Sequence, residues 1–228
     1  MYKLTIANKN YSSWSLRPWI LMKELSIPFE EHLIVFGDEP AWDDFKKSSP
    51  SGLVPSLDDG QTVVWDSLAI TEYLAERHSE IWPGDKDARA WARCAAAEMH
   101  SGFSALRSEC GMNCGLKVRL NSISNELAAD IGRIETLWVD GLTRFGGPFL
   151  AGDNFTAVDA FFSAVVFRIQ TYGLELNDIA QAYVQRMLAL ESMQEWHQAG
   201  IQETWRDESH EQEIKLFGKI TSDIRAVD

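Results

Sequence analysis

Three serines crowd one short segment near the start of the chain, Asn10-Tyr-Ser-Ser-Trp-Ser-Leu-Arg17, at Ser12, Ser13 and Ser15. The segment falls between a β-rich run and an amphipathic one. Its hydroxyls therefore stand at a helix N-terminus, where unbonded amides and a partial positive charge gather. Hydroxyls in that place can donate to an anion and could take part in catalysis. They can equally serve as plain caps, and the residue types leave both roles open. A second segment, Trp65-Asp-Ser-Leu-Ala-Ile70, repeats the arrangement at another strand-to-helix junction. The helix start and the Ser67 hydroxyl suit a carboxylate, and Asp66 suits an ammonium. Those two charges stand side by side on the free end of an amino acid. Capping is again the plainer account.

Two further motifs bear on the same chemistry. In Leu53-Val-Pro-Ser56, a proline entering a strand cannot donate to the ladder. A cis Val54–Pro55 bond would turn the Val54 backbone outward, where it could pair with a peptide as an added strand does. An ordinary trans proline at a strand start fits the local sequence as well. Thr156-Ala-Val-Asp159 reads as a capping box with Asp in the place usual for Glu, and so as structural. It precedes an almost wholly apolar run, Ala157 to Phe167, which Arg168 closes. Arg168 could hold a substrate carboxylate or simply complement the helix C-terminus.

The elements that must position these residues alternate at first. Tyr2–Ala7 reads as a strand and 15–25 as a helix with Pro18 in its first turn. Phe29 to Val35 reads as a strand and Pro40 to Lys47 as a short helix. Two short strands then flank a turn at Gly60, and Asp66 caps a helix running to about His78. Trp82-Pro-Gly-Asp85 breaks the chain, which predicts an α/β domain over 1–80 and an all-α domain over 86–228. In the second part, Ala88, Ala92, Ala95, Met99, Phe103 and Leu106 keep helical steps, and so do Leu120, Ile123, Leu127, Ile131, Ile134, Trp138 and Leu142. After the apolar helix, two more helices and a charged tail complete the expectation.

Composition narrows the partners. The chain has 228 residues and a net charge of −13, which opposes nucleic acid and anionic membrane surfaces alike. No apolar run is long enough to span a bilayer. Met1 to Ala7 reads as a strand rather than a signal peptide, so the expected location is cytoplasmic. Cys94, Cys110 and Cys114 form an odd set, which argues against a disulfide framework, and their spacing from His100 argues against a metal site.

The order Ser-Ser-x-Ser-x-Arg, Val-Pro, Asp-Ser-x-Ala-Ile-x-x-Tyr-Leu and Gly-Asp-x-x-Thr-x-x-Asp resembles that of the cytosolic glutathione S-transferase superfamily over residues 2 to about 165. The resemblance implies a thioredoxin-like domain followed by a helical one, a homodimer, glutathione as co-substrate, no metal, and a small hydrophobic or unsaturated electrophile as partner, in detoxification. The serine motif is most similar to the zeta class, whose known chemistry includes maleylacetoacetate isomerisation. On that match Ser12 contacts the glutathione sulfur with Ser13 beside it, Val54 supplies the backbone pair, Pro55 the cis bond, and Asp66 with Ser67 the γ-glutamyl contacts. The chain departs from the zeta pattern at Trp14, where that pattern has Cys, and at Trp19, where it has a second Arg. Leu53 replaces the Lys that many members carry, so the glycyl carboxylate would pass to Lys46 or Lys47. Family likeness sets the electrophile pocket between the domains, with Trp14, Met99, His100, Phe103 and Arg107 as candidates; for any one of them, a place in the core or in solvent is the simpler alternative. Two other readings compete. A disulfide-forming redox enzyme would need a thiol at the serine position, and no cysteine precedes Cys94. A non-catalytic binding or assembly protein on the same fold needs nothing further.

Overall fold

The computed structural model describes residues 1–226, without the side chain of Ser48; the last two residues of the expected 86–228 domain lie outside it. Strand β1 (Tyr2–Ala7) runs parallel to β2 (Phe29–Ile34), with Tyr2 opposite Phe29 and Ala7 opposite Ile34. It runs antiparallel to β3 (Ser56–Asp58), which pairs with β4 (Val63–Trp65), giving the order β2-β1-β3-β4. Helices α1 (Ser13–Glu24), α2 (Glu39–Ser48) and α3 (Ser67–Ala75) connect and flank this sheet. Leu4 and Ile6 of β1 are fully buried and pack with Leu16, Ile20 and Ile70. This is the thioredoxin-like arrangement, and a helical region follows it.

The second region comprises α4 (Lys86–Ser101), α5 (Ser104–Glu109), β5 (Leu116–Leu120), α6 (Asn125–Phe145), α7 (Ala157–Tyr172), α8 (Asp178–Leu188), α9 (Glu191–Gln202), α10 (Glu208–Phe217) and β6 (Gly218–Asp223). The apolar run becomes α7, buried on almost every face and packed against α1 and α4. The capping box at its start is formed as expected. The Asp159 carboxylate also accepts from Leu150 N and from the Tyr183 hydroxyl, both at 3.0 Å, and burial pushes its pKa up to about 6.

The structure corrects four local expectations. Helix α1 starts two residues early, so Pro18 lies inside it, beyond the first turn, and removes the amide that the Trp14 carbonyl would accept from. The run from Ala88 to Leu106 is two helices. It breaks at Gly102, and Phe103 adopts left-handed backbone at φ 58°. Phe103 and Leu106 are still buried, so apolar phase continues through a break in the backbone. Leu120, expected at the head of the next helix, instead ends a strand over 116–120: Leu116 and Val118 face inward while Lys117 and Arg119 are exposed, a period of two. Its partner is β6, inside the expected charged tail. Gly218 is required there, because a Cβ would stand 2.6 Å from Val118.

Candidate functional site

The serine loop joins β1 to α1. Ser12 occupies the cap position, yet its side chain makes no bond to the first-turn amides. Instead the Ser12 and Ser15 hydroxyls share a hydrogen bond of 2.7 Å, and Ser15 Oγ accepts from Ala7 N at 3.3 Å. The simple capping role open to these serines in sequence is therefore not the one adopted by Ser12. Ser13 faces the helical region, where its Oγ accepts from Arg168 Nη2 at 3.5 Å.

The Val54–Pro55 bond is cis. It borders a cavity of about 360 Å³ whose walls include Trp14, Leu53, Val54, Pro55, Asp66 and Ser67. Asp66 is a non-glycine residue at φ 72°, and its Oδ1 caps α3 by accepting from Leu68 N at 2.8 Å and Ala69 N at 3.3 Å. Its other oxygen, Oδ2, lies 3.4 Å from His100 Nε2. Arg17 Nη1 reaches both Ser67 Oγ at 3.3 Å and His100 Nδ1 at 3.4 Å. Arginine can only donate, so His100 Nδ1 accepts and Nε2 carries the proton toward Asp66. Burial, helped by Arg17 and Arg107 and opposed by Asp66, holds the His100 pKa below the ordinary histidine value.

Three arginines gather behind this surface. The Trp14 ring lies over both Arg17 and Arg107, at 4.1 and 4.7 Å, and meets His100 edge-on at 5.3 Å. Arg17 is 1% exposed, and its Nε has no hydrogen-bond partner. Burial lowers its pKa, as do the neighbouring charges of Arg107 and Arg168. Arg168 is 4% exposed and donates to the Cys110 and Ala164 carbonyls at 2.8 and 3.2 Å. Among the described residues, none of the three forms an ion pair with a carboxylate.

The candidates read from sequence thus divide. Trp14, Val54, Pro55, Asp66 and Ser67 meet at one cavity, and His100 reaches it through Asp66. Met99 is fully buried in the core and Phe103 nearly so, which corrects their expected place in an open pocket. Arg107 turns back to the carbonyls of Gly102, at 2.9 Å, and Met99. Lys47 is exposed, pairs with Asp44 at 2.9 Å, and does not line the cavity. Among the described residues there is no group of three or more His, Cys, Asp or Glu able to hold a metal, and no helix is long and apolar enough to cross a membrane.

Sequence reading missed how the loop is held. Glu203 accepts from Lys9 N at 2.7 Å and Asn10 N at 3.2 Å, and the Asn10 side chain donates to the Gly200 carbonyl. The Tyr11 hydroxyl donates to Glu211, which is paired with Arg225. All of these partners come from the last tenth or so of the chain. Nothing local to Glu203, Glu211 or Arg225 signals a partner so remote in sequence.

Residues 11–77 match the family described as glutathione S-transferase, N-terminal domain. The chain is 28% identical over 176 residues to a probable maleylacetoacetate isomerase of Caenorhabditis elegans, covering 72% of this chain and 77% of that one. It is 26% identical over 178 residues to a maleylacetoacetate isomerase of Dictyostelium discoideum, covering 72% and 78%. Among solved structures, glutathione S-transferase unclassified 2 of Bombyx mori superposes with a TM-score of 0.71 at 18% identity, covering 96% of this chain and 99% of that one. A Burkholderia glutathione transferase homolog with bound glutathione gives 0.62 at 22%, covering 87% and 97%. Motif order and the match over residues 11–77 liken the chain to the cytosolic glutathione S-transferases, and the solved structures share its fold.

Proposed function

We propose that the chain is a glutathione transferase that ionises the glutathione thiol with a serine hydroxyl and delivers the sulfur to a small hydrophobic or unsaturated electrophile. The observation that carries this reading is the single cavity on which Trp14, the cis Val54–Pro55 bond, Asp66 and Ser67 converge, beside the serine loop. In this reading the Val54 backbone pairs with the peptide, Asp66 takes the γ-glutamyl ammonium, and Ser67 with the α3 start takes its carboxylate. Lys46 or Lys47 is left for the glycyl carboxylate. The enzyme would work as a homodimer in the cytoplasm.

The energetics need no general base. A free thiol has a pKa near 8.5, and lowering it by about two units takes roughly 2.7 kcal/mol. A hydrogen bond to a charged group contributes about 1.5–3 kcal/mol, and a helix N-terminus about 0.3–1 kcal/mol. The thiol proton leaves to solvent and the sulfur bonds to the electrophilic carbon. A leaving group then departs with its electron pair, or the carbanion formed at an activated double bond takes a proton from water. Calorimetry with glutathione, followed by a panel of haloarenes and activated alkenes, tests the reading. No heat of binding at millimolar glutathione would end it.

The names of the two relatives above favour a second reading, isomerisation of maleylacetoacetate. There the thiolate would add to the cis double bond, the resulting single bond would rotate, and elimination would return the thiolate. Glutathione would be required but not consumed, and that distinguishes the two activities.

A further inference from the structure

Two buried arginines each stand behind a serine. Arg17 donates to Ser67 Oγ, and Arg168 donates to Ser13 Oγ. The other hydrogen bonds of Arg168 go to the Cys110 and Ala164 carbonyls. Burying a guanidinium without a carboxylate is costly. The fold nevertheless keeps this one directly behind the serine loop, where its field favours an anion.

The consequence for the two serines differs. Arg168 can only donate, so it occupies a lone pair of Ser13 and leaves the Ser13 proton free to point away from it. Ser12 is committed elsewhere. Its hydroxyl is joined to Ser15, and Ser15 in turn accepts from the β1 amide of Ala7. That pair points into the N-terminal region, whereas Ser13 points toward α7.

We propose that Ser13, and not Ser12, gives the hydrogen bond that holds the glutathione thiolate, with Arg168 as the positioning residue that turns the Ser13 hydroxyl toward the sulfur. This rests on the transferase reading above. Arg107, stacked on Trp14 next to the loop, adds positive potential to the same place.

The test is a pH titration of thiolate ultraviolet absorbance in the glutathione complex of the full chain, with calorimetry on the same samples. Ser13→Ala should raise the thiol pKa by about one to two units. Arg168→Met should raise it in the same direction, Arg168→Lys should recover part of the shift, and the double variant should exceed Ser13→Ala by little. Ser12→Ala should leave the titration nearly in place. If Arg168→Met does not fold, Ser13→Thr carries the test, because it keeps the hydroxyl and should keep the low pKa. A shift with Ser12→Ala but none with Ser13→Ala overturns the assignment, as does an Arg168→Met or Ser13→Thr protein that behaves contrary to these expectations. Native protein that binds no glutathione would instead overturn the transferase reading.

Discussion

Glu211 accepts a hydrogen bond of 2.8 Å from the hydroxyl of Tyr11, 200 residues earlier in the chain and one position ahead of Ser12. Arg225 pairs with the same carboxylate and reaches the Tyr11 oxygen at 3.3 Å. All three side chains are less than a tenth exposed. Removing one partner of a buried pair strands the other charge, so Arg225→Met should cost about 3 kcal/mol in urea unfolding. Tyr11→Phe loses one bond to a charged group and should cost about 1.5–3 kcal/mol. An Arg225→Met protein as stable as the native one would show that the clasp does not stabilise the fold.

Ser67→Ala removes both the hydroxyl proposed for the γ-glutamyl carboxylate and the acceptor of Arg17. Glutathione affinity, measured by calorimetry, should fall at least several-fold. The thiol pKa in the complex should stay where it is, because the change lies at the other end of the peptide.

His100 makes stability depend on pH in a definite direction. Its folded pKa lies below the ordinary 6.5, so the unfolded chain binds the proton more readily. The contribution of this group is present above pH 6.5 and is lost as pH falls through the folded value. His32 and His197 are shifted the same way by burial, so the comparison must be with His100→Asn. That variant should show a shallower loss of stability as pH falls below 6.5 in parallel urea melts.

Asp159 caps α7 and also bonds Leu150 and Tyr183 inside the core. Asp159→Ala leaves those donors buried and unpaired, at about 1–3 kcal/mol each, besides the lost cap. Unfolding should show a loss of at least about 3 kcal/mol, and Asp159→Asn should lose less.

Local signals made most of the N-terminal region readable. Asp66 is a helix cap by residue type, Gly60 marks a tight turn, and Val54-Pro55 could be singled out because a proline at a strand start needs a reason. The helical region was readable in outline, since α6 and α7 carry their apolar period openly. The failures share one cause: two arrangements with the same local pattern. Phe103 and Leu106 keep helical phase across a helix break at Gly102. Leu116 to Leu120 is too short to declare its period of two without β6, which lies about a hundred residues further on. The site divides likewise. Asp66 and Ser67 were found from their junction, while the bonds of Arg168 to Ser13 and of His100 to Asp66 cross between regions and leave no trace in either segment.

The fastening of Lys9, Asn10 and Tyr11 by Glu203, Glu211 and Arg225 also sets an order of events during synthesis. The sheet and α1 emerge from the ribosome first and can begin to form while the rest of the chain is still being made. The loop that carries the serines then waits for carboxylates that lie 194 and 200 residues downstream of their partners. A nascent chain stopped before residue 203 would have its sheet and α1 but a slack serine loop, so the proposed site would stay unfastened until Glu203, Glu211 and Arg225 had been added.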